Sequence, residues 1–302
     1  YLAQEATYAL ARLPGVTVLW LPYTLPIEKY LGVAALDSAG RDTIGTRNDH
    51  QWRRVRYSYM DCRREANRRG ALAREPQPEG VHGPSLKRLI GELGVLARLG
   101  QRDFARHVAL RKQPIMLLPG FGAHPMRMRR MHNALANAGH APHHWGLGFN
   151  LGPTPENFAY LLGRVASLSH RHKQPVALIG WSLGGLFARE IARRQPETVS
   201  KVITMGTPFS GDRRANNAWR AYQLITGHPV DQPPEECDFL AAKPPVPTIA
   251  LWSPKDGLIA PRSAAGWPGE RDRAVALRCN HLDFASDPAT ILEVLRQLDW
   301  DE

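Results

Sequence analysis

From residue 113 onward the chain alternates between short apolar runs and helical patterns, and this alternation narrows the possible folds more than any other feature. Strand-length apolar runs occur at Pro114 to Leu118, Pro175 to Gly180, Lys201 to Met205, Thr248 to Trp252 and Ala274 to Leu277, with a weaker one at His143 to Leu147. Between them lie Met126 to Ala138, Pro155 to His172, Leu183 to Arg194 and Pro288 to Leu298, with apolar residues at three- and four-residue spacing. Strands apolar on both faces and separated by helices predict an α/β fold with a mostly parallel sheet covered on both sides. A chain of 302 residues, 43% of them hydrophobic, can bury a substantial core. No run approaches the roughly 18 apolar residues of a membrane-spanning helix, and the 26 Gly and 25 Pro are scattered without period, so membrane-spanning, fibrous and disordered classes are excluded.

The first third reads differently. Val16 to Leu21 is strand-like, but Pro14, Pro22 and Pro26 interrupt its surroundings, and residues 1–83 form an N-terminal extension with no legible fold. Arg69 to Gly83, rich in Pro, Gly and charge, reads as a linker. Within 84–112, Leu86, Leu89, Ile90, Leu93, Leu96 and Ala97 predict an amphipathic helix packing on the core. The net charge is +11; the first 112 residues carry 19 basic and 11 acidic side chains, the remainder 20 and 17. Much of the excess lies in Arg53, Arg54, Arg56, Arg63, Arg64, Arg68, Arg69 and Arg74. That run fits a solvated helix face with Asp61, Glu65 and Glu75, and leaves room for peripheral contact with an anionic membrane. No nucleic-acid motif accompanies it. Cys62, Cys237 and Cys279 are far apart and read as reduced thiols. Cytoplasmic placement is the expectation, with secretion left open because the chain begins at Tyr1 without an initiator Met.

The sharpest local signal is PVALIGWSLGGL, residues 175–186, where a strand runs into Gly180-Trp181-Ser182-Leu183-Gly184 and a helix follows at once. This is G-x-S-x-G in a strand–turn–helix setting, the turn that lifts a nucleophilic hydroxyl above a sheet. Gly180 and Gly184 suit it because a Cβ there would meet neighbouring backbone, and the helix N-terminus favours negative charge nearby. A serine acting only as a helix cap is the plainer alternative.

With these residues in place, residues 113–300 resemble the α/β-hydrolase superfamily, particularly its bacterial esterase- and lipase-like serine hydrolases. The resemblance implies a chain order of nucleophile, acid and histidine. By that order the acid is Asp256, in the turn Ser253-Pro254-Lys255-Asp256-Gly257 after a late strand, with Asp238 in reserve and Asp231 and Asp212 poorer choices. Asp-Gly is also ordinary turn chemistry. His281 is the one histidine C-terminal to Asp256 and is taken as the base. The oxyanion donors implied are the backbone N–H groups of Leu183 and of Phe121, in Pro119-Gly120-Phe121-Gly122; such a donor contributes about 3 to 4 kcal/mol of barrier lowering. Relatives commonly carry His where this chain has Pro119, which leaves the bracing of that loop unspecified.

A short helical cap is expected within about 210–246, where Trp219 and Tyr222 are candidate pocket residues. Gly146 to Gly152 lacks the acidic partner of a dinucleotide loop and is taken as a possible substrate rim; His140, His143 and His144 lack a ligand set for a metal. The resulting expectation is a serine hydrolase that cleaves carboxylic esters or acyl lipids through an acyl-serine intermediate, with no metal or organic cofactor and no nucleic-acid partner. Acyl transfer, thioester hydrolysis and a non-catalytic binding role are the alternatives, and the oligomeric state is left open.

Overall fold

The computed structural model describes residues 59–96, 108–232 and 241–300. The chain divides into two compact units, residues 1–68 and 69–302. Of the first, the described part is helical and belongs to helix α1 (Tyr59–Ala73), where Arg68 pairs with Glu65 at 2.7 Å. Val16 to Leu21, Arg53, Arg54, Arg56, Cys237 and Asp238 lie outside the described residues.

The second unit is built on six parallel strands, β1 (Pro114–Leu118), β2 (Ala141–His144), β3 (Val176–Trp181), β4 (Val199–Met205), β5 (Thr248–Trp252) and β6 (Arg273–Ala276), in the order β2-β1-β3-β4-β5-β6. Helices α2 (Leu86–Leu96), α3 (Arg129–Ala138), α4 (Pro155–His172), α5 (Leu183–Arg194), α6 (Trp219–Thr226), α7 (Pro261–Ala265) and α8 (Pro288–Asp299) complete it. The period of two in β1 sorts its side chains onto two helical layers. Ile115 and Leu117 join Met131 and Leu135 of α3 and Ile291, Val294 and Leu298 of α8, while Met116 and Leu118 join Phe158, Leu161 and Val165 of α4 and Phe187 and Ile191 of α5. Each large apolar side chain so buried contributes about 1.5 to 3 kcal/mol. The strand order reverses direction between β1 and β3, so the loops after these neighbouring strands part to opposite faces and leave a crevice at their C-terminal ends.

Local chemistry fixes the helix ends. The Thr154 side chain accepts from the Asn157 N–H at 3.1 Å and Asp287 from the Thr290 N–H at 2.9 Å, each just before a proline at the first turn. Among the described residues no helix is long and apolar enough to cross a membrane, and no group of three or more His, Cys, Asp and Glu side chains could hold a metal ion.

Two expectations are corrected. Arg69 to Gly83 is not a free linker. Arg69 donates to the Ile225 carbonyl at 2.6 Å, Gln77 to the Arg214 carbonyl at 2.9 Å, and the Leu72 carbonyl accepts from Gln223 at 2.6 Å. Composition alone could not reveal these partners, which lie more than 130 residues away in sequence. The apolar stripe of α2 is also not buried throughout: Leu86 and Ile90 are 68% and 58% exposed and Leu89 is half-buried, whereas Glu92, one turn on from Leu89, is 3% exposed. The backbone N–H groups of Gly257, His281 and Leu282 offset the desolvation of that carboxylate.

On the β2 edge, His143 and His172 face each other with their Nε2 atoms 2.9 Å apart, a pairing that needs at least one neutral ring. Burial, His172, Arg164, Arg171 and His132 together push the His143 imidazole down to about 4. Below its ordinary value of 6.5 the unfolded chain therefore takes up a proton that the folded protein refuses. Stability from this site is complete above pH 6.5 and declines as the pH falls toward about 4, by about 1 kcal/mol after solvent screening. Urea unfolding of the parent and His143→Gln across that window checks this, the variant being expected to show the shallower decline.

Candidate active site

The site grows from the C-terminal ends of β1, β3, β5 and β6. Ser182, between β3 and α5, has φ 52° and ψ −121°, a conformation that a residue with a side chain adopts only under constraint. Its N–H donates to the Met205 carbonyl at 2.8 Å, and its carbonyl accepts from the Gly185 N–H at 3.0 Å and the Thr207 hydroxyl at 2.9 Å. A Cβ on Gly180 would fall against the backbone of Gly184 and Gly185, and one on Gly184 against the Leu118 carbonyl, so β1, β3 and α5 converge only because both are glycine. The hydroxyl itself caps nothing. The cap-only reading of Ser182 is thereby corrected: the strained turn holds the side chain without a local partner.

Asp256 and His281 lie in the turns after β5 and β6. The Asp256 carboxylate is fully buried: Oδ2 stands 2.8 Å from His281 Nδ1, and Oδ1 accepts from the N–H groups of Leu258 at 2.9 Å and Ile259 at 2.7 Å. With Oδ1 occupied by two backbone donors, the carboxylate is held in one orientation, with its other oxygen toward the imidazole. His281 is 2% exposed, and its carbonyl accepts from the indole N–H of Trp181 at 3.1 Å, which brings the histidine turn against the residue preceding Ser182. Gly206 lies beside the pair: its φ is 56°, and a Cβ there would stand 3.0 Å from His281 Nδ1 and 3.1 Å from Asp256 Oδ2. Met205, whose carbonyl receives the Ser182 N–H, is the residue before it. Among the described residues no hydrogen bond joins the Ser182 hydroxyl to His281, whereas the His281–Asp256 pair is already bonded.

On the β1 side, Gly120 packs against Ser182, a Cβ there standing 3.2 Å from the serine Cβ. Asn150, fully buried, braces this loop: its side-chain amide donates to the Pro119 carbonyl at 2.7 Å, its carbonyl accepts from the Gly122 N–H at 2.7 Å, and its N–H donates to the Ala123 carbonyl at 3.1 Å. The bracing that Pro119 cannot supply thus comes from the glycine-rich stretch taken as a possible rim. The Phe121 and Leu183 amides flank Gly120 and Ser182 in sequence, on the two loops that meet there.

The two candidate cap residues part company. The Tyr222 ring packs on Phe121 with centroids 5.4 Å apart. Trp219, in contrast, is buried beneath Arg214 and Arg220 and donates its indole N–H to Gln77 at 3.1 Å, so it faces Gln77 rather than the Pro119–Gly122 loop. Its pocket role is corrected to anchoring of α6. Cys279 is buried and free, and burial pushes its thiol up to about 12, so it supplies no competing nucleophile.

Glu92, absent from the sequence-based candidates, reaches the same two turns. Its spacing from Leu89 and Leu96 put it on their helix face, the single signal that could have raised it.

Residues 113–225 match the family model described as the alpha/beta hydrolase fold, a match that ends before Asp256 and His281. Among solved structures the chain is similar to lipase B of Aspergillus fumigatus, at 16% identity over 76% of this chain and 64% of that one with a TM-score of 0.49. It is also similar to a lipase of Bacillus licheniformis, at 15% identity, 66% and 96% coverage and a TM-score of 0.47. A third is a type II thioesterase from the borrelidin biosynthetic cluster, at 18%, 66% and 98%, and 0.44. No curated protein matches the chain.

Proposed function

As the chain carries the α/β-hydrolase fold, we propose that it is a serine hydrolase that cleaves carboxylic esters through an acyl-serine intermediate. The observation that carries this reading is the buried His281–Asp256 bond at 2.8 Å, beside a strained turn whose serine hydroxyl has no structural task. With Nδ1 donating to Asp256, Nε2 is the free base. It takes the Ser182 proton as Oγ attacks the ester carbonyl, and Asp256 stabilises the imidazolium without accepting the proton. The Phe121 and Leu183 amides stabilise the tetrahedral oxyanion. Collapse expels the alkoxide with a proton from Nε2, and water repeats the sequence to release the acid.

The partly buried Phe121 beside Tyr222, and the exposed Phe149 beside His124 at 5.2 Å, make an apolar margin at the oxyanion loop, which favours acyl chains over small polar esters. The test is hydrolysis of nitrophenyl esters from C2 to C16 together with fluorophosphonate labelling. We expect labelling at Ser182 and turnover that rises beyond C4; a parent chain that neither labels nor hydrolyses any member rejects the proposal, and activity confined to C2 rejects the apolar margin.

Asn150→Ala tests the oxyanion loop. Without the side-chain donor the Pro119 carbonyl loses its brace, and the Phe121 amide is less well aimed. A fall in kcat of about 10- to 100-fold with little change in KM is expected from steady-state kinetics, short of the ~100- to 1000-fold lost when a donor is removed outright.

A further inference from the structure

We propose that Glu92 is a positioning residue that holds the acid and base of the site in register from outside the sheet, through the backbone of the turns that carry them. The proposal rests on the reading above in one respect: these turns matter because they bear Asp256 and His281.

Glu92 belongs to α2, and its carboxylate is 3% exposed. Oε1 accepts from the Gly257 N–H at 2.8 Å and from the N–H of His281 itself at 2.8 Å, and Oε2 accepts from the Leu282 N–H at 3.0 Å. One side chain therefore ties the residue after the acid to the base and its successor, across a sequence gap of about 190 residues in the latter case. An isolated buried carboxylate is strongly unfavourable, and three charge-assisted bonds are what make this one tenable. Two further features are built around the contact. Gly257 leaves room for it, since a Cβ there would strike the Arg88 carbonyl and stand 2.9 Å from Glu92 Cγ. Asn280 donates to the Gly91 carbonyl at 3.0 Å, fixing α2 a second time to the histidine turn.

The turns have ties of their own. Ser253 donates to the Cys279 carbonyl at 2.6 Å, and Asp256 holds Leu258 and Ile259. These persist without Glu92, so its removal leaves the turns formed but free to shift against each other. A shift of order 1 Å at a reacting group costs about 100-fold in rate. Glutamine is nearly isosteric but has one acceptor oxygen, and its NH2 must oppose a backbone N–H, so Glu92→Gln breaks the tie without opening a cavity.

The experiment uses the full chain as parent and Glu92→Gln. The first readout is the low-field proton resonance of His281 Nδ1 in its bond to Asp256, which requires no substrate. It is expected in the parent and is expected to broaden or vanish in the variant while near-ultraviolet circular dichroism is retained. The second is kcat and KM for nitrophenyl butyrate per fluorophosphonate-titrated site, where kcat falls about 10- to 100-fold and KM stays within about twofold. A variant with unchanged resonance and kcat and only a lowered melting temperature overturns the proposal, as does a parent lacking the resonance. Should Glu92→Gln not fold, amide exchange in the parent decides: Gly257, His281 and Leu282 must be protected together, and rapid exchange at any of them overturns it. A parent that hydrolyses no ester, with the resonance lost in Glu92→Gln, rejects the hydrolase reading and keeps the positioning role.

Discussion

Replacing Ser182 by alanine is expected to lower kcat by about 10⁴- to 10⁶-fold and to abolish fluorophosphonate labelling. Stability is expected to change by less than about 0.5 kcal/mol, because the hydroxyl makes no cap bond and its loss orphans no partner. Ser182→Gly sharpens the test. At φ 52° the serine is held in a region that costs about 1 to 3 kcal/mol for a residue with a Cβ, and glycine occupies it freely. The glycine variant is thus expected to be inactive and yet to melt higher than the parent. Strain maintained at the expense of stability is the signature of a residue held for chemistry. If instead the glycine variant melts lower while Ser182→Ala keeps a tenth or more of the activity, Ser182 is an ordinary turn residue and the hydrolase reading fails.

Gly184→Ala is expected to be among the most damaging single-methyl changes in the described part of the chain. The added Cβ would fall against the Leu118 carbonyl oxygen, 2.6 Å from its carbon and 2.7 Å from the Pro119 carbonyl oxygen. These are backbone atoms of β1 and its following loop, so no rotamer change relieves the overlap. The N-terminus of α5 must part from the sheet, opening the packing of Phe187 and Ile191 against Met116 and Leu118. A loss of about 4 kcal/mol or more follows, close to the whole stability of many domains. Gly163→Ala on α4 is the control: nothing lies within 4 Å of a Cβ there, and removing a helix-interior glycine is expected to stabilise by about 0.5 to 1 kcal/mol. Urea unfolding of both variants measures the contrast; comparable stability would mean that close approach at Gly184 is not what closes the turn.

How the chain divides between legible and illegible residues has a physical basis. Strands β1 and β5 and helices α4 and α5 occupy the residues that their patterns predict, because an apolar run or a 3.6-residue period is a property of consecutive residues. The strand predicted at His143 to Leu147 forms at Ala141–His144 instead, where the edge of the sheet imposes little burial. Ser182 was legible for the same local reason, its glycines and its strand being contiguous with it. Asp256 and His281 followed only from a chain-order resemblance, and what joins them, the bond across 25 residues, has no sequence pattern of its own.

What the residues dictated unaided was the alternation that makes a parallel sheet with helices on both sides, and the tight turn that raises one hydroxyl above it; both depend on interactions within a few positions. Folding in three dimensions decided the rest. It set Asn150 behind the Pro119–Gly122 loop, turned Trp219 away from it, packed residues 69–83 against α6 and its approach, and buried Glu92 rather than Leu86 and Ile90. A polar group is buried only where partners await it, and for Glu92 those partners are N–H groups on turns up to 190 residues away, which no window along the chain can contain.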